Sequence, residues 1–316
     1  MTETPEDVRD ALASVTNDFE VREELLTTDR HVVHEVEFEG RRAVCKLARD
    51  DATGLHRDAL VHEHVAESGA APVPDLLVHG ENCYVASFAA GGEYDGDAPR
   101  EVRERRLRDA GTTLARVHEA FPFEAHGELR PADDRLELDA RESWPDLFAE
   151  WVADWSDGLA GSDFADLGGD VVAFVRNHAA AFEDAGDPVL VHGDYEDDNL
   201  RFGDDGVSSV LDWEVARAAP GEFDLARAEL GWFEKPHSPE TDGDLRSALI
   251  AGYESVRPLP PGFDARRAVY RAALTLKPLR KVGEVGARAD VPADELGVVM
   301  ASFVRDRLDA ARRDLR

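Results

Sequence analysis

A histidine, an aspartate and an asparagine follow one apolar stretch at a spacing that suits chemistry on a hydroxyl group. Residues 189–191 are Val-Leu-Val, and His192, Asp194 and Asn199 fall within the next eight positions. After a Gly-Asp-Asp-Gly turn, a second apolar stretch delivers Asp212. An aspartate at this spacing accepts the proton of a hydroxyl group, and Asn and Asp oxygens are ligands that Mg²⁺ prefers. An acidic, solvated loop is the alternative, but all three oxygen-bearing side chains stand at the ends of apolar strands, so we favour an active site.

A single lysine stands in an apolar stretch far upstream of this loop. Lys46 lies within Ala43–Leu47, and it is one of only four lysines among 36 cationic residues. A strand residue reaching out to water is the alternative interpretation. However, a compact ammonium suits the phosphates of a nucleotide in a confined space. We therefore interpret Lys46 as a phosphate ligand.

The loop resembles the aminoglycoside phosphotransferase family. That family has the signature HGDxxxxN, then a hairpin and a DW[E] segment, and this chain has HGDYEDDN, a turn, and DWE. The continuation PGEFDLA, which contains Asp224, is similar to the family's G-x-x-x-DLA stretch. Lys46, the sequence PVP at residues 72–74 and the segment AGTTLARVHEA extend the similarity. In all, the resemblance spans roughly residues 19–235.

This resemblance implies a reaction and a set of components. The expected enzyme is a kinase that moves the γ-phosphoryl group of ATP or GTP to a hydroxyl of a small molecule, with Mg²⁺ as the cofactor. In this scheme Asp194 is the catalytic base, and Asn199 and Asp212 are the metal ligands. His192 and Asp224 are expected to support the catalytic loop.

The resemblance also implies a nucleotide site in the first part of the chain. Lys46 is expected to pair with a helix carboxylate, and Asp58 occupies the family position for it, with Glu63 as the alternative. The three consecutive residues at the expected hinge, where backbone groups would bind the base of the nucleotide, are Ser87, Phe88 and Ala89.

The elements needed to position these residues are recognisable in the sequence. The first 88 residues contain about five short apolar runs typical of strands and one main helical pattern, at residues 54–68. Beyond residue 99 we predict helices with a single β interlude, at 189–191, 200–202 and 207–211. The expected fold class is α+β and kinase-like, with a nucleotide-binding lobe at residues 1–88 and a helical catalytic and substrate-binding lobe at residues 89–316.

Four points leave alternatives open. The segment that should cover the phosphates, Thr27–His31, contains no glycine. A protein kinase of the same fold is one rival, but no DFG or APE activation segment is recognisable. A nucleotide-binding regulator without turnover is another, although the complete set of reactive residues argues against it. Trp144, Trp151 and Trp155 share one helical face, and we favour a packing role over a wall for the substrate.

The charge balance excludes some partners. The chain has 67 acidic and 36 basic residues, and its net charge of −31 makes broad binding of nucleic acid improbable. An acidic, lysine-poor composition is typical of proteins from a salt-rich cytoplasm, and we expect a halophilic archaeon as the source. The two cysteines, Cys45 and Cys83, lie in apolar runs, which suggests a reducing cytoplasm. No stretch is apolar enough for a membrane span. The composition does not identify the acceptor or the oligomeric state.

Overall fold

Helices account for most of the second half of the chain. The structure is a computed structural model that describes residues 5–13, 16–49, 51–234 and 243–315. Its helices are α1 (Pro5–Ala13), α2 (Thr53–Ser68), α3 (Arg100–Ala120), α4 (Trp144–Asp157), α5 (Ala165–Asn177), α6 (Gly221–Phe233), α7 (Gly243–Glu254), α8 (Phe263–Arg280), α9 (Val282–Ala289) and α10 (Ala293–Asp314).

The strands form three antiparallel sheets within the described residues. They are β1 (Phe19–Thr27), β2 (His31–Phe38), β3 (Arg41–Ala48), β4 (Leu76–His79), β5 (Cys83–Ser87), β6 (His126–Ala132), β7 (Arg135–Arg141), β8 (Pro188–Val191), β9 (Leu200–Gly203), β10 (Gly206–Val210) and β11 (Arg217–Pro220). The strand orders are β1-β2-β3-β5-β4, β10-β9 and β7-β6-β11-β8.

The five-stranded sheet and α2 form the β-rich first lobe that the sequence predicts. β2 and β3 are joined by a tight turn in which Glu39 and Gly40 both have positive φ angles, 50° and 73°. β3 lies at the centre of the sheet, and its register sets Lys46 between Val33 of β2 and Tyr84 of β5. One apolar face of α2 covers the sheet beside Tyr84. Lys46 therefore lies on the central strand of the sheet.

The helical part is built on one large core. The tryptophans at positions 144, 151 and 155 of α4 are only 3%, 8% and 7% exposed. Trp144 lies between Phe148 and Tyr270, with ring centroids 5.4 and 6.2 Å away. The three tryptophans therefore pack in the core of the helical part, as expected from the sequence.

Two β features of this part were not expected from the sequence. β6 and β7 form a hairpin at residues 126–141, where we predicted no strand, and β11 adds a further strand after the catalytic segment. The hairpin is rich in charged residues, and β11 reads Arg-Ala-Ala-Pro, so neither has the β-branched composition typical of strands. They form because β11 pairs with both β6 and β8. None of the helices in the described ranges is both long enough and apolar enough to cross a membrane.

The net charge of −31 predicts strong dependence of stability on salt. Because screening shortens the Debye length to about 3 Å at 1 M salt, added KCl should relieve several kcal/mol of self-repulsion. We expect Tm to rise by about 10 °C or more between 0.1 and 2 M KCl, measured by scanning calorimetry. The test uses chloride and not sulfate, because sulfate is excluded from protein surfaces and stabilises folded proteins whatever their charge. A melting temperature that stays constant over this range would contradict the expectation.

Candidate active site

The expected catalytic loop follows β8, and a buried carboxylate holds its backbone in place. Asp224, in the first turn of α6, accepts hydrogen bonds from the backbone N–H groups of His192 (2.6 Å) and Gly193 (2.9 Å). Gly193 has a φ of +79°, and a Cβ there would lie 2.8 Å from the carbonyl oxygen of Val215, so only glycine fits. His118 donates to the same carboxylate at 3.2 Å. Burial raises the pKa of Asp224, but His118 and His192 lower it by more, so the pKa lies below its usual value.

Replacing Asp224 by alanine should destabilise the protein strongly. The change leaves two buried N–H groups and His118 without their acceptor, and each lost partner costs about 1–3 kcal/mol, so we expect a total loss of at least about 3 kcal/mol. Urea denaturation in constant KCl measures this loss. Tyr253→Phe is the matched milder variant, since it removes only a 2.8 Å hydrogen bond to His118. A cost for Asp224→Ala no larger than for Tyr253→Phe would contradict the bracing role.

The His192 ring links the two segments that carry the reactive residues. Its Nε2 donates to the carbonyl oxygen of Leu211 at 2.9 Å, and its Nδ1 accepts from the backbone N–H of Asp194 at 3.2 Å. Asn199 Nδ2 donates to the carbonyl oxygen of Asp194 at 2.8 Å, which leaves the amide oxygen of Asn199 for another partner. The N–H of Leu211 donates to the carbonyl oxygen of Asn199 at 2.9 Å. These bonds bring Asp194, Asn199 and Asp212 into one cluster.

Asp212 adopts a left-handed backbone conformation at the centre of this cluster. Its φ is +65°, which costs a residue other than glycine about 1–3 kcal/mol. The conformation is imposed from both sides, because Leu211 is bound to Asn199 and the N–H of Trp213 donates to Asp58 at 2.8 Å. Strain of this kind is concentrated at functional sites.

Lys46 is buried among carboxylates. Its Nζ lies 2.8 Å from Oδ2 of Asp58, 2.7 Å from Oδ1 of Asp212 and 3.6 Å from Oε2 of Glu214. Burial alone would lower the pKa of Lys46, but Asp58 and Asp212 raise it well above its usual value. The lysine therefore stays charged at neutral pH.

Asp58, and not Glu63, is the helix carboxylate that meets Lys46. Glu63 is exposed, whereas Asp58 is fully buried and also accepts from the Tyr84 hydroxyl at 2.7 Å. Burial raises the pKa of Asp58, and Lys46 and Tyr84 outweigh that effect, so the group remains ionised. The shorter side chain suffices because α2 lies close to β3.

Two cations beside Asp194 were not found from the sequence. Arg227 of α6 forms an ion pair with Asp194 and lies 3.5 Å from Glu196. The positive charge of Lys277, on α8, also lowers the pKa of Asp194. Burial raises the pKa of Asp194, but Arg227 and Lys277 lower it more, so Asp194 is ionised and able to accept a proton. Two features of the sequence could have indicated these cations. Arg227 stands three residues after Asp224, and lysine is so scarce in this chain that Lys277 is conspicuous.

The glycine-free segment between β1 and β2 is a turn that is stabilised by its own side chains. The Thr28 hydroxyl accepts from the N–H groups of Arg30 and His31, each at 3.1 Å, and so caps its own turn. Arg30 forms a 2.7 Å ion pair with Glu214, and Nδ1 of His31 lies 3.4 Å from it. Arg30, His31 and Glu214 line a cavity of about 390 Å³ that Arg57 of α2 also borders.

The expected hinge residues lie where β5 leaves the sheet. The Ser87 hydroxyl accepts from the backbone N–H of Asp75 at 2.8 Å. The N–H of Phe88 donates to the carbonyl oxygen of Arg42 at 3.2 Å, and the Arg42 guanidinium lies 3.5 Å from the Phe88 ring centroid. Ala89 follows them and is half-buried. The segment is thus firmly attached to β3 and β4 on its way out of the first lobe.

The oxygen ligands suit a hard divalent cation. The amide nitrogen of Asn199 is bound to Asp194, which leaves its oxygen for a ligand, and the backbone of Asn199 is bound to Leu211, the neighbour of Asp212. An amide oxygen and a carboxylate fit Mg²⁺, which takes few protein ligands and several waters. Ligand atoms of His31, Asp212 and Glu214 also lie within 4.8 Å of one another, so Asp212 belongs to a second possible ligand set. The oxygen-only set is the better match to Mg²⁺.

Comparison with known proteins identifies relatives of this chain. It is 29% identical over 194 residues to homoserine kinase of Phenylobacterium zucineum (strain HLK1), a match covering 58% of this chain and 51% of that protein. It is 31% identical over 216 residues to homoserine kinase of Methylobacterium radiotolerans, covering 62% of this chain and 59% of that protein. The matched part spans about half the length of these curated relatives.

Solved structures share the fold over nearly the whole chain. A thermostable mutant of aminoglycoside phosphotransferase APH(4)-Ia, in a ternary complex with AMP-PNP and hygromycin B, matches with a TM-score of 0.69. The match covers 97% of this chain and 98% of that one at 17% identity, and it establishes the kinase-like, two-lobed α+β fold. The profile of the phosphotransferase enzyme family matches residues 30–259, well over half of the chain. This chain is therefore a member of the phosphotransferase enzyme family.

Proposed function

We propose that this protein is a small-molecule kinase, which transfers the γ-phosphoryl group of ATP or GTP to a hydroxyl group. The observation that carries the proposal is the convergence of four reactive side chains from separate parts of the chain. Lys46 of β3 meets Asp212, and Asn199 connects Asp212 to the loop of Asp194. A base, two oxygen ligands and an ammonium are the parts that phosphoryl transfer requires.

Each residue has a distinct role in this proposal. Asp194 orients the acceptor hydroxyl and takes its proton as the bond to phosphorus forms. Lys46 binds the donor phosphates, and Asp58 keeps its ammonium in place. Asn199 and Asp212 would hold Mg²⁺, which when bound neutralises charge on the phosphates. Catalysis then depends mainly on position and on electrostatic stabilisation.

The relatives support this class of reaction. The curated relatives are named homoserine kinases, and the aminoglycoside phosphotransferase structure contains a nucleotide analogue together with hygromycin B. All of these names describe proteins that act on small hydroxylated molecules. Because the matched part is only about half of each curated relative, the acceptor of this chain is not inherited from them.

The connection after Asp212 favours a small molecule over a protein acceptor. Only eleven residues separate Asp212 from Asp224, and β11 occupies four of them as an inner strand between β6 and β8. Such a short, paired connection leaves no room for the long activation segment with which protein kinases bind peptides. We therefore propose that the acceptor binds among the helices, in the lobe that begins near residue 89.

The expected hinge also enters this proposal. We propose that the nucleotide base binds beside Ser87, Phe88 and Ala89, with the lobes joined just after them. The anchoring of Phe88 to Arg42 of β3 supports a fixed edge at this point. The nucleotide base would then lie at the end of β5, in the sheet whose central strand carries Lys46.

ADP formation tests the proposal against a regulator without turnover. Purified protein in KCl is given Mg-ATP alone and then Mg-ATP with a panel of hydroxylated metabolites, and ADP is measured by chromatography. We expect ADP to accumulate only with an accepted alcohol, and EDTA to abolish it. Nucleotide binding detected by calorimetry, with no acceptor-dependent ADP from any alcohol, would favour the regulator.

A further inference from the structure

Lys277 has no carboxylate partner among the residues whose structure is described. It is one of four lysines in a chain with 67 acidic residues, and it lies half-buried on α8. Its ammonium lies 5.7 Å from the centroid of the Trp155 ring, and in the described part of the chain no hydrogen bond or ion pair is found for it. By contrast, Lys46 meets Asp58 and Lys281 meets Asp29. A partly buried ammonium without a counter-ion is costly unless a ligand supplies one.

Other cations surround this lysine. Arg217 of β11 lies with its guanidinium 4.3 Å from the centroid of Trp151, and Arg227 lies beside Asp194. Burial and the charges of these two arginines lower the pKa of Lys277 to about 8, while Asp194 opposes them. Arg217 pairs with Glu128, and Arg227 pairs with Asp194 and lies 3.5 Å from Glu196. Of these three cations, Lys277 is the one without an ion pair to any described residue.

This positive region belongs to the acceptor side of the site. Arg227 forms an ion pair with Asp194, the base that must meet the acceptor hydroxyl, and Arg217 pairs with Val191 of β8, the strand that leads into the loop of Asp194. Lys277 lies over Trp155, one helical turn from the Trp151 ring that Arg217 covers, and its charge lowers the pKa of Asp194. Lys46 pairs instead with Asp58 and Asp212 and lies 3.6 Å from Glu214. An anion bound at Lys277 would therefore be attached to the molecule that carries the hydroxyl, and not to the nucleotide.

We propose that the acceptor is a small alcohol that also bears an anionic group, and that Lys277 binds this group while Asp194 meets the hydroxyl. This inference rests on the proposed function and adds the acceptor class to it. A carboxylate and a phosphate ester both carry the negative charge that would pair with the Lys277 ammonium. Amine-rich acceptors are disfavoured because Lys277 and its neighbouring arginines would repel them. Lys277 is thus a specificity-determining residue.

Matched acceptors and variants test the proposal. Initial rates with Mg-ATP are measured for 4-hydroxybutyrate and its amide, L-homoserine and its amide, glycerol 3-phosphate, and the amine-rich alcohol kanamycin. The assays use the lowest KCl concentration that keeps the protein folded, since salt screens the interaction. The variants are Lys277→Met, Lys277→Arg as the conservative rescue, and Arg280→Met as the control. Arg280 is an exposed cation on the same helix.

The expected result separates acceptor binding from donor binding. Anionic alcohols should be used in preference to their amides, and Lys277→Met should raise KM for the preferred acid about 10- to 100-fold. It should leave KM for ATP and for the amide within about twofold, and Lys277→Arg should recover part of the loss. Tm of Lys277→Met should not fall, because an unpaired charge has been removed. The carboxylate and phosphate arms identify which anion is accepted.

Two results would overturn the acceptor class and leave the proposed function intact. One is phosphorylation of amides or kanamycin as well as, or better than, the anionic alcohols. The other is a Lys277→Met variant that leaves KM for the acid unchanged or raises KM for ATP equally. If no alcohol is phosphorylated, the proposed function fails, and calorimetry with 4-hydroxybutyrate decides the anion site. If wild-type protein binds 4-hydroxybutyrate and Lys277→Met does not, the anion site at Lys277 is supported. If wild-type protein does not bind it, the anion site is wrong.

Discussion

Substitution of Asp194 by asparagine is expected to lower kcat by a factor of about 10²–10⁴, the range typical of general acid–base catalysis. Asparagine keeps the shape of the side chain but cannot accept the hydroxyl proton. KM for ATP should change little, because Lys46, the proposed phosphate ligand, pairs with Asp212 and Asp58 and not with Asp194. Acceptor-dependent ADP formation and nucleotide binding by calorimetry measure the two effects separately.

Asp198→Asn is the matched control for this change. Asp198 lies in the same loop, is exposed, and uses its backbone carbonyl to accept from Arg201. The same change of charge at this position should leave kcat within about twofold. If Asp194→Asn and Asp198→Asn had equal effects, the loss would reflect loop charge alone, and the role of Asp194 as base would be wrong.

Substitution of Lys46 by methionine is expected to damage both stability and activity. The ammonium is buried between Asp58 and Asp212, and its removal leaves carboxylates unpaired in the protein interior. Breaking a buried ion pair from one side typically costs about 3–5 kcal/mol. Turnover should also fall by orders of magnitude, since the donor phosphates lose their lysine. Urea denaturation in constant KCl and steady-state kinetics measure these losses.

A second substitution distinguishes the two effects of Lys46. In Lys46→Met with Asp58→Asn, one stranded charge is removed, so the free energy of unfolding should recover in part. Activity should not recover, because no cation replaces the lysine. Lys281→Met, an exposed lysine that pairs with Asp29, is the control and should be nearly neutral for stability. Recovery of turnover in the double variant would contradict the phosphate-binding role.

The parts of the site that follow from local patterns were predictable. Asp194, Asn199 and Asp212 are positioned by strand ends and a hairpin of only a few residues, so their spacing in the sequence nearly fixes their spacing in space. The pairing of Lys46 was harder. Spacing on α2 allowed two carboxylates, and only the approach of Tyr84 and Trp213 to Asp58 selects between them.

The parts that depend on distant packing were not predictable. Lys277 lies 83 positions after Asp194 on a helix with no recognisable motif, and only the packing of α8 against α6 and α4 brings it near. The hairpin at residues 126–141 has weak strand propensity and forms because β11 offers it a partner. The glycine-free turn at Thr28 works through a side-chain cap that composition alone does not reveal.

Phosphorus NMR of the reaction mixture tests the central claim most directly. Wild-type protein is incubated with Mg-ATP and the accepted alcohol, and the fate of the γ-phosphorus is followed, with Asp194→Asn beside it. We expect the γ-phosphoryl signal to be replaced by that of a phosphate monoester on the acceptor, in step with ADP, and to persist in the variant. Conversion of ATP to ADP and inorganic phosphate alone, or an equal rate of ester formation in Asp194→Asn, would contradict the account.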